Sequence, residues 1–363
     1  RLASDFTEEQ AVTPAEILMG AFTDADKIYI NGICCGSSYD RYASRIYPVA
    51  PGILRAGENV VCIHLYVFRG RGGAMPGKQY GIRFKKGKER WLDLSGTWDA
   101  QIRKQMEYLP EKTFFNYMAS AMFNGMISPV SPYKICAVIY YQGESDVGHP
   151  NRYALEFRAL VNDWRKSWKE KQLPIIYVQL AGFSDGNIKK QGTQWAEFRE
   201  VQRQAMEIEN TAMIQAYDVG EYNDLHPMDK KTLGMRAALA VHKLVYGEKE
   251  ECTGPQVRKI RLDRDKRVYA VFDQPLQTGS KKDGCELVSE VELRKANGDY
   301  KRAYVTVDGN EICAWLSDGE EPTGIRYAWK DCPMNICLYG KRGLPVIPFI
   351  KEWGRDAIYT GKI

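Results

Sequence analysis

The sequence predicts an α/β protein: a parallel-sheet core flanked by two β modules. Two observations carry this. From about 100 to 250, apolar runs of strand length alternate with helical stripes, the order that builds a mostly parallel sheet with right-handed crossovers. On either side, short strands are broken by frequent glycine and proline turns, as in sandwiches and jelly rolls. The 363 residues accommodate two or three domains at about 150 residues each.

Residues 17–97 read as the first β module. Lys27-Ile-Tyr-Ile-Asn-Gly32 alternates and ends on a turn signal, and Asn59 to Phe68 is a longer strand. Punctuation falls at Pro51-Gly52, Gly57, Gly70, Gly72-Gly73 and Pro76-Gly77. Residues 98–250 form the α/β segment. Ile135-Cys-Ala-Val-Ile-Tyr-Tyr141 is continuously apolar, which predicts a strand covered on both faces. Tyr153, Phe157, Leu160, Val161, Trp164 and Trp168 then make a helical stripe. Pro174 to Leu180 is a second strand, Trp195 to about Ile208 a second helix and Thr211 to Tyr217 a third strand. A third helix runs from about Lys230 to Tyr246, with Leu233, Ala237, Ala240, Val241 and Leu244 on one face. Residues 251–363 return to short strands, such as Arg267 to Phe272 and Tyr304 to Asp308, and read as the second β module.

Composition narrows the function classes. Apolar residues make up 44% and charged residues 27% of the chain, a globular balance that excludes disorder as the main state. No window approaches 18 consecutive apolar residues, so no membrane-spanning helix is expected. The net charge of +5 is mild, and basic clusters such as Lys85, Lys86 and Lys88 are short, so no nucleic-acid partner is expected. The nine cysteines are Cys34, Cys35, Cys62, Cys136, Cys252, Cys285, Cys313, Cys332 and Cys337. They form no CxxC pair, and Cys332 and Cys337 lack a nearby histidine, so no zinc site is expected. Cys62 and Cys136, inside apolar runs, read as small core residues. The chain starts at Arg1, and its polar opening carries no signal-peptide pattern.

In open parallel sheets ligands bind beyond the carboxyl ends of the strands. Three such ends are visible: Gln142-Gly-Glu-Ser-Asp146, Gly182-Phe-Ser-Asp185, and the run from Asp218 to Pro227. Of four histidines, His64 falls in a strand of the first β module, His149 precedes Pro150 at a helix entry, and His242 lies beside a helical apolar stripe. His226 follows a strand end, with Asp224 two residues earlier and Pro227 next. A neighbouring carboxylate can fix a histidine tautomer and stabilise the imidazolium of a general base, but Asp224 and Pro227 equally suit a loop and helix entry. The Gln142 side-chain amide is suited to donate to an oxyanion, and Glu144 to orient a neighbour or act on water. Equally, Ser145, Asp146 and Asn151 are all residue types that cap the helix that follows.

Several of these segments resemble the sialate O-acetylesterases of the wider SGNH-type esterase superfamily. Ile139-Tyr-Tyr-Gln-Gly-Glu-Ser-Asp146 is similar to the family's W-Y-Q-G-E-S/A-N/D segment, and Phe123-Asn-Gly-Met-Ile-Ser-Pro129 to the segment just upstream of it. Trp195-Ala-Glu-Phe-Arg-Glu-Val-Gln202 resembles a W-x-x-x-R-E-x-Q helix, and Asn223-Asp-Leu-His-Pro227 the D-I-H-P block. Thr23 to Gly32, Arg45-Ile-Tyr47 and Gly72-Gly73 resemble an inserted jelly-roll, galactose-binding-like module. Ile325-Arg-Tyr-Ala-Trp329 and Gly343 to Phe349 resemble a C-terminal β-sandwich module. The likeness runs over nearly all of 20–350.

The resemblance implies a three-layer SGNH-type core and a serine esterase that removes acetyl groups from O-acetylated sialic acid, with no metal or organic cofactor. It implies His226 as base and Asp224 as its partner, with Gln142 and the neighbourhood of Gly125 at the oxyanion and Glu144 beside them. It also implies export to a periplasmic, extracellular or lysosomal compartment. One departure stands out. The family's nucleophile is a serine in a G-Q-S-N-M segment ahead of the jelly-roll insert, and these 363 residues contain no such segment. The expectation is a serine supplied by a separate segment. A second reading is a catalytically dead glycan-binding fragment, and a third is an acetylesterase for another glycan such as acetylxylan.

Overall fold

The computed structural model describes residues 2–68, 70–86, 91–107, 113–184, 191–222, 224–279 and 288–353. Lys88, Asp185, Asn223 and Cys285 lie outside the described residues. The chain divides into two compact units, Arg1–Phe114 and Phe115–Ile363.

The first unit is antiparallel β. One four-stranded sheet runs in the order Trp91–Asp93, Tyr80–Phe84, Ala15–Met19, Ile46–Val49, and a three-stranded sheet in the order Ile33–Ser38, Ala25–Ile30, Val61–Tyr66. Alternation does the sorting. Ile28 and Ile30 point into a core with Ile17, Met19, Ile82 and Phe84, while Lys27 and Tyr29 face outward. The hairpin after Ile30 turns on Asn31 and Gly32, both at positive φ (50° and 83°), the geometry that matches strand twist in a two-residue loop. Arg45 and Asp26 form a fully buried ion pair at 2.6 Å.

Cys62 corrects the sequence reading. It alternates with the inward Val61 and is exposed. Cys136 is exposed too, because it sits just before the outer strand of the parallel sheet.

In the second unit the strands Val138–Tyr140, Ile175–Gln179 and Thr211–Gln215 pair in parallel, in that order. The middle strand is buried at every position. Helix Pro150–Ser167 buries Tyr153, Phe157 and Val161 with Phe198 of helix Gln194–Gln204 in one cluster. Helix Lys230–Tyr246 buries Leu233, Ala237 and Ala240 in another, with Ile176, Val178, Ala212 and Ile214 of the sheet. Gly247 closes that helix in the left-handed conformation.

The apolar run at 135–141 was expected to be a strand covered on both faces. Only Val138–Tyr140 is strand, and Ile139 is 58% exposed. The physical reason is its place: among the described residues it is the outer strand, paired on one side only.

The later strands belong to the same compact unit. Val257–Leu262, Val268–Phe272, Glu311–Trp315 and Tyr304–Asp308 make one antiparallel sheet. Tyr300–Arg302, Val291–Arg294, Gly324–Tyr327 and Phe349–Glu352 make a second. Their shared core includes Phe272, Ile312, Leu293, Ile325 and Tyr327, and it reaches Tyr217 from the α/β segment. Among the described residues, no helix is long and apolar enough to cross a membrane.

Candidate active site

The first strand end is built as a closed turn. Gly143 stands at φ 149°, and a Cβ there would lie 2.8 Å from the Phe198 ring, so both backbone and space require glycine. The Tyr140 hydroxyl donates to Gln142 Oε1 at 2.6 Å, and Gln142 Nε2 donates to Asp146 Oδ2 at 3.1 Å. The Gly143 N–H donates to Glu144 Oε2 at 3.0 Å. The capping reading of this segment is not realised: the N-cap of the following helix is His149, without a side-chain cap bond, and Pro150 opens the first turn.

The second strand end carries Gly182, Phe183 and Ser184. The Ser184 N–H donates to the Tyr222 carbonyl at 2.5 Å, which joins this end to the third. Phe183 packs against Trp195 with ring centroids 5.3 Å apart, and its N–H donates to the Asp331 carbonyl.

The third strand end holds the candidate pair. Asp218 leaves the strand and is bolted to helix Lys230–Tyr246 by Arg236, through two bonds of 2.7 Å. Arg236 also donates to the Gln215 carbonyl at 2.6 Å. Both side chains are almost fully buried. Between these anchors, Asp224 is 5% exposed and its Oδ1 accepts from the His226 backbone N–H at 2.8 Å, an Asx turn. Pro227 is buried and His226 is exposed. Asp229 caps the helix through the Thr232 N–H. Lys230 places its ammonium 5.2 Å from the Tyr141 ring centre, bringing the start of this helix to the first strand end.

The structure therefore puts Asp224 and His226 in one turn, and Gln142 and Glu144 in another at a neighbouring strand end. Gly125 is different. It lies in the π-helical turn Phe123–Ile127, exposed, with open space where a Cβ would be. His64 packs against Tyr29 in the first unit with the rings tilted and centroids 4.7 Å apart, and the exposed His242 sits 2.7 Å from Glu248, just past the end of its helix. The sequence reading missed two supports, the Asp218–Arg236 bolt and the buried Arg199. A charged residue directly after a buried strand, with an arginine inside a helical stripe, was the available signal for the first. Among the described residues, no three His, Cys, Asp or Glu side chains cluster as a metal site.

This is a strand-end site on an open parallel α/β sheet, the place where such sheets bind ligands. Comparison with known proteins shows what this segment resembles. Residues 100–243 match the model of a carbohydrate esterase family, sialic acid-specific acetylesterase. Human sialate O-acetylesterase is 28% identical over 264 residues, covering 64% of this chain and 48% of that protein. The mouse sialate O-acetylesterase is 31% identical over 275 residues, 64% of this chain and 47% of that protein. The chain thus spans about half the length of these curated relatives. A crystal structure of a carbohydrate acetylesterase from Xanthomonas citri superposes with a TM-score of 0.58 at 19% identity, over 94% of this chain and 96% of that one. Residues 100–243 are thus similar to the sialic acid-specific acetylesterase family of carbohydrate esterases.

Proposed function

We propose that the chain is the His/Asp-bearing part of a carbohydrate O-acetylesterase acting on O-acetylated sialic acid. The observation that carries this reading is the Asp224–His226 turn, held at a strand end inside the matched family segment. In this reading residues 98–250 are an SGNH-type esterase core, and 17–97 and 251–363 are its jelly-roll and β-sandwich modules.

A serine hydroxyl, contributed from outside these 363 residues, adds to the acetyl carbonyl while His226 takes its proton. The tetrahedral oxyanion collapses, the sugar oxygen leaves, and His226 returns the proton to it. Water then adds to the acetyl-serine with His226 again as base, releasing acetate and restoring the serine. Asp224 holds the turn and stabilises the imidazolium. One Gln142 N–H is already given to Asp146, and the other is available for the oxyanion. Gly125 and Glu144 complete the surroundings. Losing one oxyanion donor costs about 10²–10³ in rate.

Acetate release from 9-O-acetylated sialic acid tests the reading. The chain supplied with a serine-bearing upstream segment is expected to release acetate, and His226→Ala in the same complex is expected to abolish it. Undiminished release by that variant would sink the assignment. Saturable glycan binding without acetate release, with or without the added segment, would replace it with a binding role.

A further inference from the structure

Away from the strand ends, the second unit has a cleft of about 180 Å³. Its floor is Ile347, Pro348 and Phe349, all buried. Its rim carries Arg203 and Glu200 from helix Gln194–Gln204, Arg258 from strand Val257–Leu262 and Lys351 from strand Phe349–Glu352. Three cations thus stand against two carboxylates, Glu200 paired with Arg203 and Asp273 paired with Arg258.

Two of the cations are already oriented. Arg203 is held by two bonds to Glu200, at 2.8 and 2.7 Å, and Arg258 by Asp273 at 2.7 Å. Each guanidinium keeps further N–H donors in a fixed plane, the geometry that suits a carboxylate. Among the described residues, the two strands flanking the cleft are each the outermost of their sheets. An outer strand has ladder groups without a strand partner, and these suit hydroxyls.

We infer that this cleft binds a small carboxylated sugar. The cations take the carboxylate, the Pro348 and Phe349 floor takes the carbon face of the ring, and the strand edges take hydroxyls. The cleft shares no residue with the turns at 142–146 and 218–229, so this site stands apart from the esterase reading.

Titration calorimetry on the 363-residue chain tests it, with N-acetylneuraminate as probe. Its methyl ester lacks the charge, and acetate lacks the ring. Neuraminate is expected to bind, with ester and acetate each at least about tenfold weaker. The double variant Arg258→Ala/Lys351→Ala is expected to weaken neuraminate about tenfold or more. Lys351→Glu, a single exposed change whose fold is checked by circular dichroism, is expected to do the same. The inference fails if neuraminate does not bind, if these variants bind it unchanged, or if acetate binds as well as the sugar.

Discussion

A carboxylate two residues before a histidine can serve the ring, the chain, or both. At Asp224 the chain bond is explicit, since the carboxylate closes the turn on the His226 N–H. Asp224→Asn keeps an acceptor for that bond but loses the charge. It is therefore expected to leave thermal unfolding nearly unchanged while lowering turnover by about 10²–10⁴, the usual worth of a supported general base. A parallel loss of folding would make Asp224 structural instead. Asp218 makes the opposite prediction. Its partner Arg236 is buried with it, so Arg236→Met strands a charge in the interior and is expected to cost about 3–5 kcal/mol in urea unfolding.

Single elements depend on a few positions where packing leaves no choice. Gly143 is one, for its positive φ and its contact with Phe198. Gly143→Ala is expected to destabilise the second unit by about 1–3 kcal/mol and to displace the Gln142–Asp146 turn, measurable as a lowered unfolding midpoint. In the first unit, Glu16 and Arg83 sit opposite each other on paired strands and bond at 2.7 Å. The hydrogen bond from Arg83 holds the Glu16 carboxyl below its ordinary 4.5. A lowered carboxyl contributes stability above its unfolded value and loses it as pH falls through the lowered one. The first unit is thus expected to lose a small part of its stability below pH 4.5, and Glu16→Gln to remove that part of the acid dependence.

On the scale of the second unit, Arg199 joins its two halves. It is fully buried on helix Gln194–Gln204 and donates to the Lys330 and Asp331 carbonyls, between strands Gly324–Tyr327 and Leu338–Gly340. Burial pushes its guanidinium down to about 10. Asp331 answers by accepting from the Trp195 N–H at the start of the same helix, and the Tyr217 hydroxyl donates to the Val346 carbonyl. The α/β segment and the later strands are therefore expected to unfold together. Arg199→Met is expected to lower the midpoint and to separate the transition into two, seen by calorimetry. A single unshifted transition would show that this clasp does not couple them.

The sequence by itself marked the kind and order of the elements in the α/β segment, but it gave no sign of strand Leu2–Phe6 or helix Glu8–Val12. Burial of alternate residues marks strands such as Ala25–Ile30, and a 3.6-residue stripe marks helices such as Pro150–Ser167, because both patterns are local consequences of backbone period. It also brought His226 and Asp224 forward, since residues two apart share a turn wherever the chain goes. Tertiary structure alone decided the rest. Whether the run at 135–141 is enclosed depends on its neighbours, and its outer place exposes Ile139. The outward face of Cys62, the Asp218–Arg236 bolt and the Arg199 clasp likewise depend on which surfaces meet across long stretches of chain. No local period encodes such meetings, because burial and pairing are properties of the packed whole.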